Sequence, residues 1–547
     1  MPVITLFYNR LISLLKQPIT KQDVLDNLPY LGLDLEEETD DYVKVEFNPN
    51  RPDFSSEWGI ARALNGFLGF EKGLPRYIVK GSNVVLRVDK SVDKIRPFFV
   101  GAIIRGIKLD DESIKQIMTM QDDLDNGIGR HRSKVSTGIH DIDAVEPPFE
   151  YKAVSPNFRF VPLGYNDDKS MKQILSEIET GQIYGHIVNK FPLYPLVIDN
   201  KGNVLSFPPI TNGAITLIST ETKNLFIDIT SINLKSAEDV MGVLLAVFSD
   251  MGGKIESIEV QYPPYKKITP DLTASKMIVI PSFINRRLGT NFSLSEIVEY
   301  LKRSRLDAKI VNGSIEVSIP RYRSDIIHPI DIVEEVMIGY NVINLTPSIH
   351  KSAFVGKLSN RLKTLDSIRD VLIGLGLIEV MNYSLISRDT IIKITGKEPN
   401  KYLKVENPKT GEHEYLRDSL IPSLLTTLSK NIHEEYPQRI FEVSTVFNRS
   451  KEPRKIKESY VVAAVIAHAY ANYTEAKSYF ASFLSQYKNI ICTTKPVDQP
   501  IYILGRAAEF EYKGSSIGKI GEIAPGILEA FNLRIPVSAF ELNLDSI

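Results

Sequence analysis

Leu11, Leu14 and Leu15 open the chain at helical spacing, and Ile60, Ala63, Leu64 and Phe67 repeat that spacing within residues 56–67. Between them an acidic run, residues 34–41, gives way to Phe47-Asn48-Pro49-Asn50-Arg51-Pro52-Asp53, where two prolines three apart forbid regular helix. Residues 1–80 therefore read as a small α/β unit. From 81 to 265 the texture changes to short β-like runs at 84–88, 98–104 and 226–229, broken by Pro and Gly and joined by two helical stretches. This span reads as one larger α/β domain.

The clearest patterning lies between 268 and 345. Ser293-Leu294-Ser295-Glu296 has capping-box spacing, and Leu294, Ile297, Val298 and Leu301 follow on one helical face. Ile315, Val317 and Ile319 alternate as a strand should, and Pro320 ends them; a second helix starts near Pro329 and turns Ile330, Val333, Met337 and Ile338 inward. A helix, strand, helix module is predicted. Beyond 350, Leu362, Leu365, Ile368 and Leu372 mark a helix, and strands are predicted at 379–385, 439–447, 460–467 and 539–544, an antiparallel α+β pattern. No internal repeat or low-complexity segment interrupts the chain.

Composition narrows the classes. The 547 residues are enough for three to five domains, and 43% apolar with 24% charged residues can fill several cores. Lys plus Arg, 65, against Asp plus Glu, 67, leaves a net charge of −2, which disfavours nucleic-acid binding through bulk charge while leaving room for a local basic stripe. The single cysteine, Cys492, excludes an intramolecular disulfide framework and a CxxC zinc site, so a reducing, cytoplasmic setting is expected. The first residues, MPVITLFYNRLISLLKQP, lack the layout of a secretory signal. The most apolar runs, 243–248 and 371–377, are far short of the roughly 20 residues that span a bilayer, so no membrane partner is expected.

Several residue groups are candidates for chemistry. Asp331, Glu334 and Glu335 stand at i, i+3 and i+4 on the helix from Pro329, with Asp325 just ahead. Four gathered carboxylates suit a hard cation such as Mg²⁺; acidic residues that merely complement a helix dipole are the alternative. The turn Asn48 to Asp53 displays Arg51 and Asp53, and a plain loop closed by Asn and Asp accounts for it. Gly129-Arg130-His131-Arg132-Ser133-Lys134 and Lys302, Arg303, Arg305 are basic clusters, read as phosphate contacts or as solvated faces. His140 beside Asp141 invites a general base or a mutually satisfied pair. Pro208-Pro209-Ile210-Thr211-Asn212-Gly213 forms a turn with an amide at its tip, followed by Thr220, Thr222 and a strand on which Phe226 and Asp228 share a side. That strand either places a carboxylate beside apolar surface in a pocket or is half-buried with Asp228 exposed. Walker A, GxSxG, HExxH and GxGxxG patterns are not found.

Taken together, Asn50-Arg51-Pro52-Asp53 leading to Gly59-Ile60-Ala61-Arg62, Gly138-Ile139-His140-Asp141, the spacing of Asp325, Asp331, Glu334 and Glu335, Leu416-Arg417-Asp418-Ser419-Leu420-Ile421-Pro422, and Arg439-Ile440-Phe441-Glu442-Val443 resemble the β subunit of phenylalanine-tRNA ligase in its short archaeal or eukaryotic form. The resemblance runs through essentially the whole chain. It implies a multidomain α+β protein: an N-terminal α/β domain (1–80), a B3/B4-type editing domain (81–265), a B5-type domain with a magnesium site (268–345), and a noncatalytic class II synthetase-like antiparallel sheet domain (350–547). It also implies an α2β2 assembly in which the α subunit binds most of the ATP and phenylalanine and charges tRNA(Phe). Carried over by position, Asp325, Asp331, Glu334 and Glu335 become magnesium ligands.

Tyrosine is phenylalanine plus a hydroxyl, and an apolar pocket rejects such an isostere by only about 100-fold, so a second, hydrolytic site is expected. Residues 81–265 are expected to deacylate Tyr-tRNA(Phe), with Asn212, Gly213 and Asp228 near the ester or tyrosyl ring and Ser206 and His140 as further candidates. Arg439-Ile440-Phe441-Glu442 stands where class II enzymes place their second motif, but Gly518-Lys519-Ile520-Gly521-Glu522 lacks the ATP-binding Arg of the terminal motif, which predicts a noncatalytic copy that contacts α. The bacterial form's ferredoxin-like anticodon-binding extension is not expected in this chain. A structural RNA-binding scaffold with an inert editing site is the alternative; a self-sufficient adenylate-forming enzyme is disfavoured by the missing Arg.

Overall fold

The computed structural model describes residues 2–349, 354–396, 399, 401–450, 452 and 455–547. Two compact units emerge, Met1–Ile349 and His350–Ile547.

The first unit begins with a three-stranded antiparallel sheet in which Tyr42–Phe47 lies between Val3–Phe7 and Leu33–Glu38. Val43, Val45 and Phe47 alternate inward onto Leu11, Val24, Ile60 and Leu64, and the acidic run becomes the exposed edge strand Leu33–Glu38, where charge discourages pairing with another chain. Ser56 caps the helix Glu57–Phe67 by accepting from the Gly59 amide, as its position after the double-proline turn predicts.

A mixed ten-stranded sheet forms the centre of this unit. Its order is Thr211–Asn212, Val204–Phe207, Tyr194–Ile198, Phe149–Val154, Val79–Val88, Lys254–Gln261, Phe98–Arg105, Asn224–Ser231, Val135–Asp141, with Lys266–Thr269 added beside Lys254–Gln261. Val79–Val88 pairs in parallel with both of its neighbours. Strand alternation sorts two cores: Val100, Ala102, Ile104, Leu225, Ile227 and Ile229 face the helices Asp111–Asn126 and Leu234–Asp250, while Phe99, Ile103 and Phe226 pack with Phe149 and Tyr151 on the other side. The sheet crosses the expected boundaries at both ends, since Val79–Val88 begins before residue 81 and Lys266–Thr269 extends it past 265.

The predicted helix, strand, helix module is richer than its sequence suggests. Ser314–Ile319 is the middle of three antiparallel strands flanked by Ser275–Val279 and Asp307–Val311, and Pro281–Leu288 is a third helix beside Leu294–Arg303 and Pro329–Tyr340. The flanking strands expose most of their side chains, so they carry no alternating signal. This module packs on the N-terminal helix: a Cβ at Gly66 would collide with the Arg303 carbonyl, and the Gly73 amide donates to the Lys302 carbonyl at 2.7 Å.

The second unit is built on a seven-stranded sheet in the order Ile378–Glu379, Gln438–Arg449, Ile456–Ala467, Val537–Asn543, Ser515–Ile523, Tyr502–Tyr512, Thr493–Pro496, antiparallel except for the first pair. Asn360–Gly374 and Tyr473–Lys488 cover one face and Ile421–Lys430 the other. The strand predicted at 379–385 is instead two short pieces, Ile378–Glu379 and Leu385–Ile386, in different sheets; Met381 and Tyr383 between them face solvent, so no burial organises a continuous strand. Arg417 and Glu442, from two of the recognised sequence segments, form a fully buried ion pair at 2.7 Å.

Candidate functional site

A cavity of about 350 Å³ opens on the central sheet, within the size range of small-molecule sites. Asp228 forms its floor. The strand Asn224–Ser231 is paired on both edges, which fixes Asp228 opposite Gly101 on one neighbour and Gly138 on the other. A Cβ at Gly138 would collide with the Asp228 carboxylate and the His140 ring, so only glycine leaves Asp228 its place. Asp228 is 2% exposed, and Ser206 donates its hydroxyl to Asp228 Oδ2 at 2.6 Å. Asn212 stands opposite Ser206 in the next strand and reaches the Ile139 carbonyl with Nδ2 at 3.5 Å. Ile114, Met118, Ile139, Phe207 and Leu217 supply the apolar walls. The alternative in which Asp228 faces solvent is excluded, and Phe226 does share its face, touching His140 and Phe149.

Three of the five editing candidates, Asn212, Asp228 and Ser206, thus line one cavity. The other two stand behind its wall. His140 is fully buried, with Nδ1 2.8 Å from Thr216 Oγ1 and Nε2 3.3 Å from Asp228 Oδ2, so it faces the back of the carboxylate. Gly213 acts through its backbone, donating to the Leu205 carbonyl at 2.8 Å and accepting from Thr216 Oγ1 at 3.2 Å. The adjacent His140 and Asp141 do not pair: successive strand residues point to opposite faces, and Asp141 accepts instead from Thr222 at 2.7 Å.

Arg132 on the cavity wall was hidden in the basic cluster. Its guanidinium lies 3.1 Å from Asp125, 3.3 Å from Asp122 and 4.6 Å from the centre of the Tyr184 ring, and donates to the Ile210 carbonyl at 3.3 Å. Gln121, Thr137 and Thr216 also line the cavity and were missed. Thr211 and the Pro208-Pro209 turn, part of the turn motif that ends in Asn212 and Gly213, line it as well.

The carboxylate set takes another form. Arg323 is buried between Asp325 and Glu335 and holds each through two nitrogens: Nε and Nη2 reach Asp325 at 2.9 and 2.7 Å, and Nη1 and Nη2 reach Glu335 at 3.1 and 2.5 Å. Asp331 accepts the Ile327 and His328 amides at 2.8 and 2.7 Å as an N-terminal cap. Glu334 alone lacks such a partner set, and burial together with the charges of Glu335, Asp325 and Asp331 raises its carboxyl above the ordinary value. Among the described residues no group of three or more His, Cys, Asp or Glu is arranged to hold a metal ion. The four carboxylates therefore do not fit a shared magnesium cage in this arrangement; Arg323 supplies the positive charge that their spacing alone assigned to a cation.

The remaining motifs turn inward. Arg51 holds Asp53 through Nε and Nη2, both at 2.9 Å, and lies 3.8 Å from the centre of the Phe54 ring, so the turn buries this pair rather than displaying it. Arg305 is likewise buried, 3.3 Å from Glu71. Among the described residues no helix is long and apolar enough to cross a membrane.

A family model for the tRNA synthetase B5 domain matches residues 277–341, and one for the phenylalanyl tRNA synthetase beta chain CLM domain matches 346–544. The phenylalanine-tRNA ligase beta subunit of Archaeoglobus fulgidus is 39% identical, covering 100% of this chain and 98% of its own; that of Methanococcoides burtonii is 36% identical and covers 100% of both. The crystal structure of an N-terminal fragment of the phenylalanyl-tRNA synthetase beta subunit from Pyrococcus horikoshii matches with a TM-score of 0.60 at 37% identity, over 62% of this chain and 99% of the fragment. Residue patterns, folds and relatives converge, and the chain belongs to the phenylalanine-tRNA ligase beta subunit family, a subunit of an aminoacyl-tRNA synthetase.

Proposed function

We propose that the cavity above Asp228 hydrolyses Tyr-tRNA(Phe), while ATP-dependent attachment of phenylalanine is carried out by an α partner in an α2β2 assembly, in the cytoplasm. The observation that carries the editing reading is a polar floor, Asp228 with Ser206 and Asn212, under apolar walls in a cavity of side-chain size. A tyrosyl ring fits such walls, and its hydroxyl can donate to Asp228. A phenylalanyl ring in the same place would leave the buried carboxylate without that partner, and a site of this kind discriminates far better than an apolar pocket. Asn212, nearer the solvent, is suited to orient the ester, Gly213 and Thr216 fix its strand, and His140 with Ser206 holds Asp228 in position.

With the α subunit present, wild-type enzyme is expected to deacylate preformed Tyr-tRNA(Phe) and Asp228→Ala to lose at least tenfold in rate, a little over 1 kcal/mol of transition-state binding. Equal rates would remove Asp228 from the site, whereas a wild-type enzyme that leaves Tyr-tRNA(Phe) intact would leave the chain as an RNA-binding scaffold with an inert site.

The four-part division proposed from the sequence is supported by the four larger of six sheets among the described residues, each with its own core, with boundaries moved to include Val79 and Thr269 in the central part. That the second unit is noncatalytic rests on Gly518 to Glu522, which run along a sheet strand without an arginine. Of the magnesium assignment to Asp325, Asp331, Glu334 and Glu335, what supports a cation is only Glu334, since Asp325 and Glu335 are held by Arg323 and Asp331 by the Ile327 and His328 amides. Magnesium is then expected to raise the melting temperature of wild type and not of Glu334→Gln; identical titration curves would withdraw the metal from this helix.

A further inference from the structure

A second cavity, of about 470 Å³, lies on the other side of the turn that carries Arg132. Arg96, Arg130, Lys134, His186 and Lys190 line it, and no acidic residue does. Arg96 is 1% exposed, and its guanidinium donates only to uncharged oxygens: Nη1 to the Arg132 and Ser133 carbonyls at 3.0 and 3.3 Å, Nη2 to the Thr230 carbonyl at 2.8 Å, and Nε to Thr230 Oγ1 at 3.2 Å. Among the described residues none of Arg96, Arg130, Lys134 and Lys190 has an ion-pair partner. Asp125, the one carboxylate whose charge acts on Arg96, is itself 3.1 Å from Arg132. Asn233, the N-cap of the long helix Leu234–Asp250, completes the lining, so the positive end of the helix dipole adds to four unneutralised cations.

The turn between the cavities is strained. Arg130, His131 and Arg132 have φ of 51°, 51° and 61°, three consecutive side-chain-bearing residues in the left-handed region, which costs roughly 1 kcal/mol or more at each. Backbone bonds hold it, His131 to Asn126, Arg132 to Asp125 and Lys134 to Gly129, together with the clamp of Arg96 on the 132 and 133 carbonyls. What this conformation achieves is a division of side chains: Arg132 lines the first cavity and Arg130 the second. Strain retained at such a place is a mark of function.

We infer that the second cavity binds a backbone phosphate of the same tRNA 3′ strand whose aminoacyl ester enters the first, an inference that rests on the editing reading above. A phosphodiester is a permanent monoanion with acceptor oxygens, which matches a cavity built from donors and unpaired cations. Because one three-residue turn forms a wall of both cavities, a strand held at the phosphate delivers its terminal ester over Asp228 without new interactions at the reacting end. It also explains how a chain of net charge −2 engages RNA, by a local patch rather than by its total.

The test uses the assembled enzyme with its α subunit and two substrates: Tyr-tRNA(Phe), and 3′-O-tyrosyl adenosine, which has the ester and no phosphate. In the variant combining Arg130→Gln, Lys134→Gln and Lys190→Gln, KM for Tyr-tRNA(Phe) is expected to rise about tenfold or more with kcat within about twofold. The slope of log kcat/KM against log salt should become shallower by about 0.7 for each lost phosphate contact. Hydrolysis of the nucleoside ester should stay at the wild-type rate. Equal losses on both substrates, or no loss on either, overturn the proposal. If wild type hydrolyses neither substrate, it is the editing reading that fails, and the second cavity is then read by titration with a short single-stranded oligoribonucleotide. Weaker binding by the variant upholds the phosphate site; equal binding, or protection by inorganic phosphate alone without oligonucleotide binding, overturns it.

Discussion

Asp125 lies under the 130–134 turn, where its Oδ1 accepts the Thr137 amide at 3.1 Å and its Oδ2 stands 3.1 Å from Arg132 Nε. Burial outweighs these partners and pushes its carboxyl up to about 7. The folded state therefore holds a proton that the unfolded chain has already released above its ordinary value near 4. The stability this contributes is fully present below that value and is lost as pH rises through about 7, at about 1.4 kcal/mol per unit and so by up to about 4 kcal/mol. Denaturant unfolding of wild type and Asp125→Asn should give curves that converge from pH 5 to pH 8, with wild type losing relative stability; curves that stay parallel would refute the assignment. At this scale the sequence brought out polar residues, Asp228, Asn212 and Ser206, that the fold gathers in one cavity. It was silent where neighbours decide: His140 meets Thr216 and Asp228 rather than Asp141, and Asp325 and Glu335 meet Arg323, because none of these partners is identifiable from spacing alone.

Local elements follow their own sequence signals closely. In the helix Leu294–Arg303, Ser293 accepts the Glu296 amide at 3.3 Å while Glu296 accepts the Ser293 amide at 2.8 Å, the reciprocal box that the tetrapeptide predicts. Ser293→Ala is expected to cost about 1 kcal/mol, seen as a lower midpoint in chemical denaturation of the first unit, and an unchanged midpoint would show that packing of Ile297 and Leu301 alone holds the helix. Ser314–Ile319 was legible for the same reason, since its alternate residues are buried. Its neighbours were not, nor was the left-handed turn at Arg130 to Arg132, which contains neither glycine nor asparagine and is held by backbone bonds to residues 125–129 and by the carbonyl contacts of Arg96, far away in sequence.

At the scale of the molecule, the two compact units each bury their own cores. The N-terminal unit corresponds to the solved fragment of the Pyrococcus horikoshii relative, and residues 1–349 expressed alone are expected to fold cooperatively and to retain 3′-O-tyrosyl adenosine hydrolysis while lacking ATP-pyrophosphate exchange. A soluble fragment that unfolds cooperatively yet leaves the ester intact would show that the cavity needs the rest of the assembly.

What the sequence by itself determined is the family and the elements with the strongest local signals, because periodicity, caps and turn residues are properties of a few adjacent positions. Tertiary structure alone decided which polar groups meet. Residues 138, 206, 212 and 228 converge only because the two ends of one sheet, Val204–Phe207 with Thr211–Asn212 and Asn224–Ser231 with Val135–Asp141, come together, and the partners of Asp325, Glu335 and Arg96 are set by which oxygens and nitrogens burial brings within hydrogen-bond reach. Desolvation, which makes an unpaired buried charge costly, acts on the folded arrangement and leaves no mark in the order of residues.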